Sequence, residues 1–193
     1  MIKKLIKTLL GKSLSKLKLL KHIICLHIIA IYLKFNGVRI IVEIGCFKGV
    51  STSIWLKYFE KVYAVDPWLP GYDINDVASH IVGSEIENEF DRRTNKYKNL
   101  VKYKAKSIDL TKYIHDANVD FIYIDGDHRY EAVRDDIQIA LKLTKDNCYI
   151  GGHDYYERWP GVVRAVDQIF YKKSLVLFPD TSWLVKKKSE SFK

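Results

Sequence analysis

The stretch Val42-Glu43-Ile44-Gly45-Cys46-Phe47-Lys48-Gly49-Val50-Ser51-Thr52 decides the fold of this chain. It begins inside an apolar run rich in Ile and Val, residues 39–44, which predicts a strand that is covered on both faces. The two glycines that follow let the chain turn sharply and let a helix, at about 50–59, start close to the strand. The stretch therefore predicts the strand-turn-helix unit of an α/β sheet.

An acidic residue after the next strand indicates which ligand this turn receives. The predicted strand 62–65 is followed by Asp66, 21 residues after Gly45. A carboxylate at this distance accepts hydrogen bonds from ribose hydroxyls in Rossmann-like sheets. Phe47 stands where a glycine would let the backbone approach a pyrophosphate, and the glycine spacing without Gly-Lys-Ser/Thr excludes a P-loop. The turn therefore favours a nucleoside without a pyrophosphate, and an ordinary α/β turn is the alternative.

Length and composition indicate one globular domain. The 193 residues suffice for one domain with a full core, and 48% hydrophobic and 28% charged residues are typical of a folded protein. The cysteines Cys25, Cys46 and Cys148 are scattered and lack Cys-x-x-Cys spacing. We therefore expect a reduced, cytoplasmic chain without disulfides and without a zinc site.

The net charge of +9 belongs to the first part of the chain. Residues 1–42 hold nine of the 32 basic residues and no acidic residue, which leaves 23 basic residues against 23 acidic residues in the remainder. A nucleic-acid enzyme more often carries its positive charge on the folded domain, so we expect no nucleic-acid partner.

Residues 1–35 are predicted to form a basic helical leader. Apolar residues recur at helical spacing in 1–21 with lysines mostly between them. This pattern predicts an amphipathic helix that either lies on an anionic membrane surface or packs on the domain or in a homo-oligomer. The apolar run 22–33 is too short to span a bilayer. Because a long charged stretch precedes it and no small-residue cleavage site follows, a helix covering the sheet is favoured over a secretory signal.

Strand and helix patterns alternate along the rest of the chain. Further strands are predicted at 100–105, 119–124 and 148–151, further helices at 83–99, 107–115, 130–143 and 161–170, and a hairpin at 175–178 and 182–185. This order predicts an α/β fold: a Rossmann-like three-layer α/β/α sandwich with a mostly parallel seven-stranded sheet and an antiparallel C-terminal hairpin. The predicted domain comprises 36–188, and 189–193 form a tail.

Two groups of polar residues follow neighbouring strands. Residues 125–130 (Asp-Gly-Asp-His-Arg-Tyr) follow the fourth strand, and residues 151–155 (Gly-Gly-His-Asp-Tyr) follow the fifth. Ligands of open parallel sheets bind beyond the carboxyl ends of the strands, so both groups face the same crevice as the glycine turn. Asp125, His153 and Asp154 offer oxygen and imidazole ligands, a set that favours Mg²⁺ or Mn²⁺ over zinc.

His128 is a suitable general base beside such an ion. It is three residues from Asp125, and an imidazole titrates near neutral pH, as deprotonation of a hydroxyl requires. The alternatives are structural. Asp125 or Asp127 would cap the following helix, and His153 would be a loop histidine with satisfied hydrogen bonds.

Residues 41–170 resemble class I S-adenosylmethionine-dependent methyltransferases, and specifically the metal-dependent O-methyltransferases that act on sugars and on macrolide or coumarin glycosides. The resemblance rests on Val42-Glu43-Ile44-Gly45, Val65-Asp66-Pro67-Trp68, 125–133, 151–155 and 161–166. It implies a set of cofactor-contacting residues: Glu43, Gly45, Cys46, Gly49, Ser51, Asp66, Pro67, Trp68, Ser107 and Asp125.

The same resemblance assigns roles to the polar residues that follow the fourth and fifth strands. It implies that Asp125 and Asp154 bind the metal and that His128 accepts the proton. His153 departs from the family pattern, because several relatives carry a second carboxylate there. This departure lowers the expected affinity for Mg²⁺.

The expected activity is transfer of a methyl group from S-adenosyl-L-methionine to a hydroxyl of a sugar or glycan precursor, with assistance from a divalent metal. One alternative is a catechol-like O-methyltransferase, for which Trp68, Trp159 and Tyr155 would clamp the acceptor. Another is a membrane-associated scaffold with a vestigial cofactor pocket. The expected location is cytoplasmic, with peripheral contact at the inner membrane face through 1–21.

Overall fold

The computed structural model describes residues 2–81, 83–115, 118–170 and 174–188. Within these residues the chain forms seven strands: β1 (Ile40–Ile44), β2 (Lys61–Val65), β3 (Leu100–Tyr103), β4 (Val119–Ile124), β5 (Thr144–Gly152), β6 (Val176–Leu177) and β7 (Trp183–Lys186). The same part of the chain forms five α-helices: α1 (Ile2–Phe35), α2 (Val50–Tyr58), α3 (Gly83–Thr94), α4 (Tyr130–Leu143) and α5 (Pro160–Ile169). Short 3₁₀ helices span Val77–His80 and Ser107–Lys112.

The strands form one sheet in the order β3-β2-β1-β4-β5-β7-β6. The pairs from β3 through β5 are parallel, whereas β7 pairs antiparallel with both β5 and β6. The predicted Rossmann-like sheet with an antiparallel C-terminal hairpin is confirmed. The strand order reverses between β1 and β4, and ligands of such sheets bind beyond the strand ends at this point.

Buried side chains alternate between the two faces of the central strands, as a doubly covered sheet requires. On one side, Val42 and Ile122 pack in the same cluster as residues of α4 and α5. On the other side, Ile41 and Phe121 pack with residues of α1 and α2. Full burial of an aliphatic side chain stabilises a fold by about 1.5–3 kcal/mol. The two cores therefore hold the ends of β1 and β4 in fixed positions.

Helix α1 packs on the sheet through its C-terminal half. Among residues 15–35 of α1, whose side chains are described, five are buried on the face that contacts the domain: Cys25, Leu26, Ile29, Ala30 and Leu33. The predicted helix covering the sheet is thus confirmed for the apolar run, and it is continuous with the basic segment before it. None of the helices in the described residues combines the length and apolarity needed to cross a membrane.

Some element boundaries differ from those predicted. Helix α3 ends at Thr94 and not at Asn99, because the Asn99 amide donates to the carbonyl oxygens of Leu56 (3.0 Å) and Phe59 (2.8 Å) at the end of α2. Strand β5 begins four residues early, at Thr144, which pairs with Val119 before an irregularity in register. The predicted tail at 189–193 lies outside the described residues.

Candidate active site

A cavity of about 840 Å³ lies beyond the carboxyl ends of the parallel strands. Its walls come from the glycine turn, from the loop after β2 and from the loops after β4 and β5. Eight of the ten predicted cofactor-contacting residues line it: Gly45, Cys46, Ser51, Asp66, Pro67, Trp68, Ser107 and Asp125. The predicted metal ligands and the predicted base also line it: Asp125, His128, His153 and Asp154.

Gly45 makes the close approach between the β1 and β4 loops possible. Its φ is +83°, and a Cβ at this position would lie 2.2 Å from the backbone oxygen of Asp125. The Asp125 N–H donates to the Ile44 carbonyl oxygen at 2.8 Å, and the His153 N–H donates to the Ile124 carbonyl oxygen at 3.0 Å. These bonds join the ends of three strands, so the glycine turn and the acidic cluster form one wall.

The Asp66 carboxylate holds the glycine turn through hydrogen bonds to its backbone. Its Oδ2 accepts the backbone N–H groups of Cys46 (3.0 Å) and Phe47 (2.9 Å), and its Oδ1 accepts that of Trp68 at 2.6 Å. Burial raises the pKa of Asp66, and the three N–H donors oppose this effect. A carboxylate has about four acceptor positions, so Oδ1 keeps one for a further donor in the cavity.

Glu43 and Gly49 lie outside the cavity lining. The Glu43 side chain is fully buried; its Oε1 accepts the Trp55 indole N–H at 3.1 Å and its Oε2 accepts the Thr52 hydroxyl. Burial raises the pKa of Glu43 to about 7. It therefore ties α2 to β1. Gly49 has φ +74° and precedes the first residue of α2, so its role in the described structure is to start that helix.

Asp136 is a buried carboxylate of the cavity wall that sequence reasoning missed. It is only 4% exposed and lines the cavity together with Ser107, which hydrogen-bonds to it. Burial raises the pKa of Asp136 to about 7. In the sequence it stands beside Asp135 in an amphipathic helix, where paired acids indicate a solvated face. Only the tertiary fold reveals that one of them is buried.

His128 and Asp154 form a pair although they follow different strands. His128 Nε2 lies 2.8 Å from Asp154 Oδ2, and the imidazole stacks on Trp159 with ring centroids 4.0 Å apart. Nδ1 of His128 is buried and has no hydrogen-bond partner within the part of the chain that the structure describes. Asp76 Oδ2 lies 3.9 Å from it, beyond hydrogen-bond distance. Burial lowers the pKa of His128, but the Asp154 bond and the nearby carboxylates outweigh burial and raise it overall.

His153 bridges the acidic cluster and the C-terminal hairpin. Its Nε2 lies 2.9 Å from the Asp180 carbonyl oxygen and donates to it. Its Nδ1 then faces Asp154 Oδ2 (3.4 Å) and Asp125 Oδ1 (3.7 Å). Burial lowers the pKa of His153, but the charges of Asp125, Asp154 and Asp180 outweigh burial and raise the pKa to about 9. Burial raises the pKa of Asp154, but His128 and His153 outweigh burial and hold that pKa well below its usual range.

His22 of α1 is a second residue of the wall that the sequence did not indicate. Its Nδ1 lies 2.9 Å from Asp180 Oδ2, and its ring lies 4.4 Å from that of His153. The leader helix and the C-terminal hairpin therefore meet at the site through His22, Asp180 and His153. These elements are 158 residues apart in the chain, so no local pattern links them.

Two groups of side chains in the described residues have the spacing of metal ligands. One is Asp125, His128 and Asp154, and the other is His22, His153 and Asp180. In each group the donor atoms lie within 4.8 Å of one another. The alternative in which Asp125 caps α4 is wrong. The residue before α4 is Arg129, and no side chain caps the helix there. The backbone N–H of Arg129 is accepted by Oδ1 of Asp127 and not by Asp125.

Comparison with known proteins agrees with this geometry. A family model described as a methyltransferase domain matches residues 42–155, which is more than half of the chain. The structure of the O-methyltransferase NovP is similar, with a TM-score of 0.65 and 17% identity over 87% of this chain and 80% of NovP. An O-methyltransferase from Bacillus cereus, solved in complex with S-adenosylhomocysteine, gives a TM-score of 0.58 and 15% identity over 91% of this chain and 90% of that protein.

A relative by sequence is an uncharacterized protein of Acanthamoeba polyphaga mimivirus. It is 29% identical over 132 residues, which cover 66% of this chain and 58% of the mimivirus protein. The chain thus spans less than two thirds of the length of this relative. At the identities of NovP and the Bacillus protein, structural similarity demonstrates a shared fold.

Proposed function

The chain belongs to the methyltransferase domain family, and we propose that it transfers a methyl group from S-adenosyl-L-methionine to a hydroxyl oxygen, with a divalent metal assisting. One observation carries this proposal. Asp66 accepts two N–H bonds from the glycine turn and one from Trp68, and it keeps an acceptor position on the cavity side, at the point where the strand order reverses.

The cavity suits a nucleoside cofactor in volume and chemistry. About 840 Å³ lies within the range of small-molecule sites. Asp66 would receive the ribose hydroxyls, while Ser107 and Asp136 line the wall on which we place the adenine. The backbone N–H of Phe47 is already bonded to Asp66, so it is not available to a pyrophosphate. When bound, S-adenosyl-L-methionine supplies a methyl group activated by its positively charged sulfur.

His128 is proposed as the residue that accepts the proton of the hydroxyl. Asp154 accepts the N–H of Nε2, which fixes the tautomer and leaves the lone pair on Nδ1 without a partner among the described residues. Trp159 stacks on the imidazole and restricts its rotation. A base held by a carboxylate on one nitrogen and unpaired on the other is the arrangement that proton abstraction requires.

Asp125, Asp154 and His153 are proposed to hold a divalent ion. His153 Nδ1 is close enough to both carboxylates to serve as the third ligand of the first group in place of His128, which is then left to act as the base. Because the Nε2–H of His153 is bonded to the Asp180 carbonyl oxygen, Nδ1 is the nitrogen that faces both carboxylates, and an ion bound there would replace the Nδ1 proton that the raised pKa of His153 favours. Two oxygen ligands and one imidazole suit Mn²⁺ at least as well as Mg²⁺. Such an ion would stabilise the negative charge that develops on the acceptor oxygen.

A sugar hydroxyl is the acceptor that the wall favours. The catechol-like alternative needs an aromatic clamp, but Tyr155 does not line the cavity, and the Trp68 side chain that does line it is only 5% exposed and packs against Phe90. Trp159 is available only through the ring face that His128 leaves uncovered. The carboxylates of Asp76 and Asp127 also line the cavity, and the acceptor positions that their bonds to Tyr72 and Arg129 leave open can accept hydrogen bonds from hydroxyls.

Turnover on a panel of acceptors tests this proposal. The full chain would be incubated with S-adenosyl-L-methionine, Mn²⁺ and either free sugars, nucleotide sugars, sugar glycosides or catechol, with S-adenosylhomocysteine measured by mass spectrometry. We expect product with a sugar class and about 100-fold less with His128→Gln. Product with catechol alone would overturn the sugar assignment. Binding of S-adenosylhomocysteine without product from any acceptor would favour the scaffold alternative.

A further inference from the structure

Helix α1 exposes a continuous apolar stripe on the side that faces away from the domain. Six large apolar side chains between 44% and 88% exposed form this stripe: Leu17, Leu20, Ile24, Ile28, Ile31 and Phe35. We call this set the α1 stripe. Its residues recur at intervals of three and four, which places them along one face of an α-helix.

The α1 stripe does not belong to the core. The residues of α1 that pack on the domain, such as Leu26, Ile29 and Leu33, are at most 1% exposed. At 100° per residue they lie on the opposite side of the helix from Leu17, Ile24 and Ile28. The second half of α1 is therefore apolar on both sides, and only one side is covered by the described part of the chain. An exposed stripe of this extent marks a contact surface.

The spacing of the α1 stripe continues in the sequence toward the N-terminus. Ile6, Leu10 and Leu14 precede Leu17 at intervals of four, four and three residues. Helix α1 has 34 residues, which corresponds to a length of about 50 Å. The apolar pattern is thus much longer than the segment that packs on the sheet.

The positive charge of α1 indicates which kind of surface the α1 stripe contacts. Residues 1–42 contain nine basic residues and no acidic residue, and Lys16, Lys18, Lys21 and Lys34 of α1 are exposed. A second copy of the same helix would bring like charges together along the whole contact. An anionic lipid surface instead receives the apolar stripe below its headgroups and the lysine ammonium groups among them.

We propose that the α1 stripe docks this protein on an anionic membrane surface, with α1 lying in the plane of the interface. The lysines near such a surface add electrostatic attraction to its anionic headgroups. The apolar side chains add burial in the acyl boundary. The proposal is independent of the chemistry in the cavity, so failure of the methyl-transfer proposal would leave it standing.

Sedimentation with lipid vesicles tests the docking. The full chain is mixed with phosphatidylcholine vesicles that contain or lack phosphatidylserine, at physiological and at high salt. We expect binding only with phosphatidylserine, and weaker binding at high salt. The triple variant Ile24→Ser, Ile28→Ser, Ile31→Ser is expected to lose about tenfold or more in vesicle affinity.

A matched control separates the α1 stripe from general loss of apolar surface. The variant Ile74→Ser, Val77→Ser, Val176→Ser removes three exposed apolar side chains elsewhere and is expected to bind vesicles as the parent does. Circular dichroism checks that the stripe variant keeps its helix content. Equal vesicle binding by both variants would overturn the proposal. So would a lipid-free dimer that the stripe variant converts to monomer in analytical ultracentrifugation, because the occupant would then be a second copy.

Discussion

His128 Nε2 and Asp154 Oδ2 lie 2.8 Å apart, although one residue follows β4 and the other follows β5. Asp154 has φ +60°, a left-handed conformation that non-glycine residues enter at a cost of about 1 kcal/mol or more. Asp is among the residues that tolerate it best. The fold thus retains a strained backbone where the bond to the imidazole is made.

Replacing His128 tests its assignment as the base. His128→Gln keeps a polar side chain of similar reach but cannot accept a proton, so turnover should fall by about 10²–10⁴-fold. Affinity for S-adenosylhomocysteine, measured by calorimetry, should stay unchanged. His80→Gln, at an exposed histidine, is the matched control. If cofactor affinity falls as much as turnover in His128→Gln, the residue is structural and the assignment is wrong.

Asp66 is predicted to read the ribose hydroxyls. Asp66→Asn replaces one acceptor oxygen by a donor, which both weakens the N–H cluster at Cys46 and Phe47 and removes an acceptor from the cavity. We expect about a tenfold or greater loss in affinity for adenosine. The parent should discriminate against 2′,3′-dideoxyadenosine and the variant should not. Equal discrimination by both proteins would remove Asp66 from ribose recognition.

The β1 turn is predicted to tolerate no side chain at Gly45. Gly45→Ala has to accommodate φ +83° and a Cβ placed 2.2 Å from the Asp125 backbone oxygen. Gly71→Ala has a similar φ of +78° and no atom within 4 Å, so it measures the conformational cost alone, about 1–2 kcal/mol. We expect denaturant unfolding to show a further loss of roughly 3 kcal/mol in Gly45→Ala. Equal losses of stability in Gly45→Ala and Gly71→Ala would mean that the glycine turn and the loop after β4 can separate at no cost in free energy.

The stability of the fold should depend on pH through Asp136, whose pKa burial raises to about 7. Between the ordinary carboxyl pKa of about 4 and this value, the folded chain holds a proton that the unfolded chain has lost. Its contribution to stability is therefore full below about pH 4 and is lost as the pH rises toward about 7. Asp136→Asn cannot ionise and escapes this loss.

Melting temperatures of this variant check the sign. We expect Asp136→Asn to melt several degrees above the parent at about pH 8 and by a clearly smaller margin at about pH 5, where most of the loss has not yet occurred. Asp135→Asn, on the exposed neighbour, controls for the loss of one negative charge. A difference between Asp136→Asn and the parent that is the same at both pH values would contradict the assignment.

Local motifs account for the parts of the site that the sequence predicted. The glycine turn and Asp66 belong to one strand-turn-helix-strand unit, so spacing alone indicated their roles. The approach of His128 to Asp154 followed from parallel strands whose carboxyl ends share one edge of the sheet. Both predictions needed only the alternation of strands and helices.

Tertiary packing accounts for the parts of the site that the sequence did not predict. Glu43 lies on the face of β1 opposite to Val42 and Ile44, so its side chain points to α2, whereas Ile44 lines the cavity. His22 reaches the site because α1 packs back over the sheet. Asp180 lies in the C-terminal hairpin between β6 and β7, at the other end of the sequence. Contacts between distant elements leave no periodicity or spacing from which they can be read.

Calorimetric titration of S-adenosylhomocysteine tests the central claim most directly, namely that the cavity beyond β1 and β4 binds the methyl donor beside a metal ion. The titration would be run on the full chain with Mn²⁺ and with EDTA, followed by Mn²⁺ into the parent and into Asp125→Asn. We expect binding in the micromolar range, about −8 kcal/mol, and a heat of Mn²⁺ binding that Asp125→Asn abolishes. No binding of S-adenosylhomocysteine in either condition would contradict the cofactor assignment. Mn²⁺ heats that are equal in the two proteins would contradict the metal site.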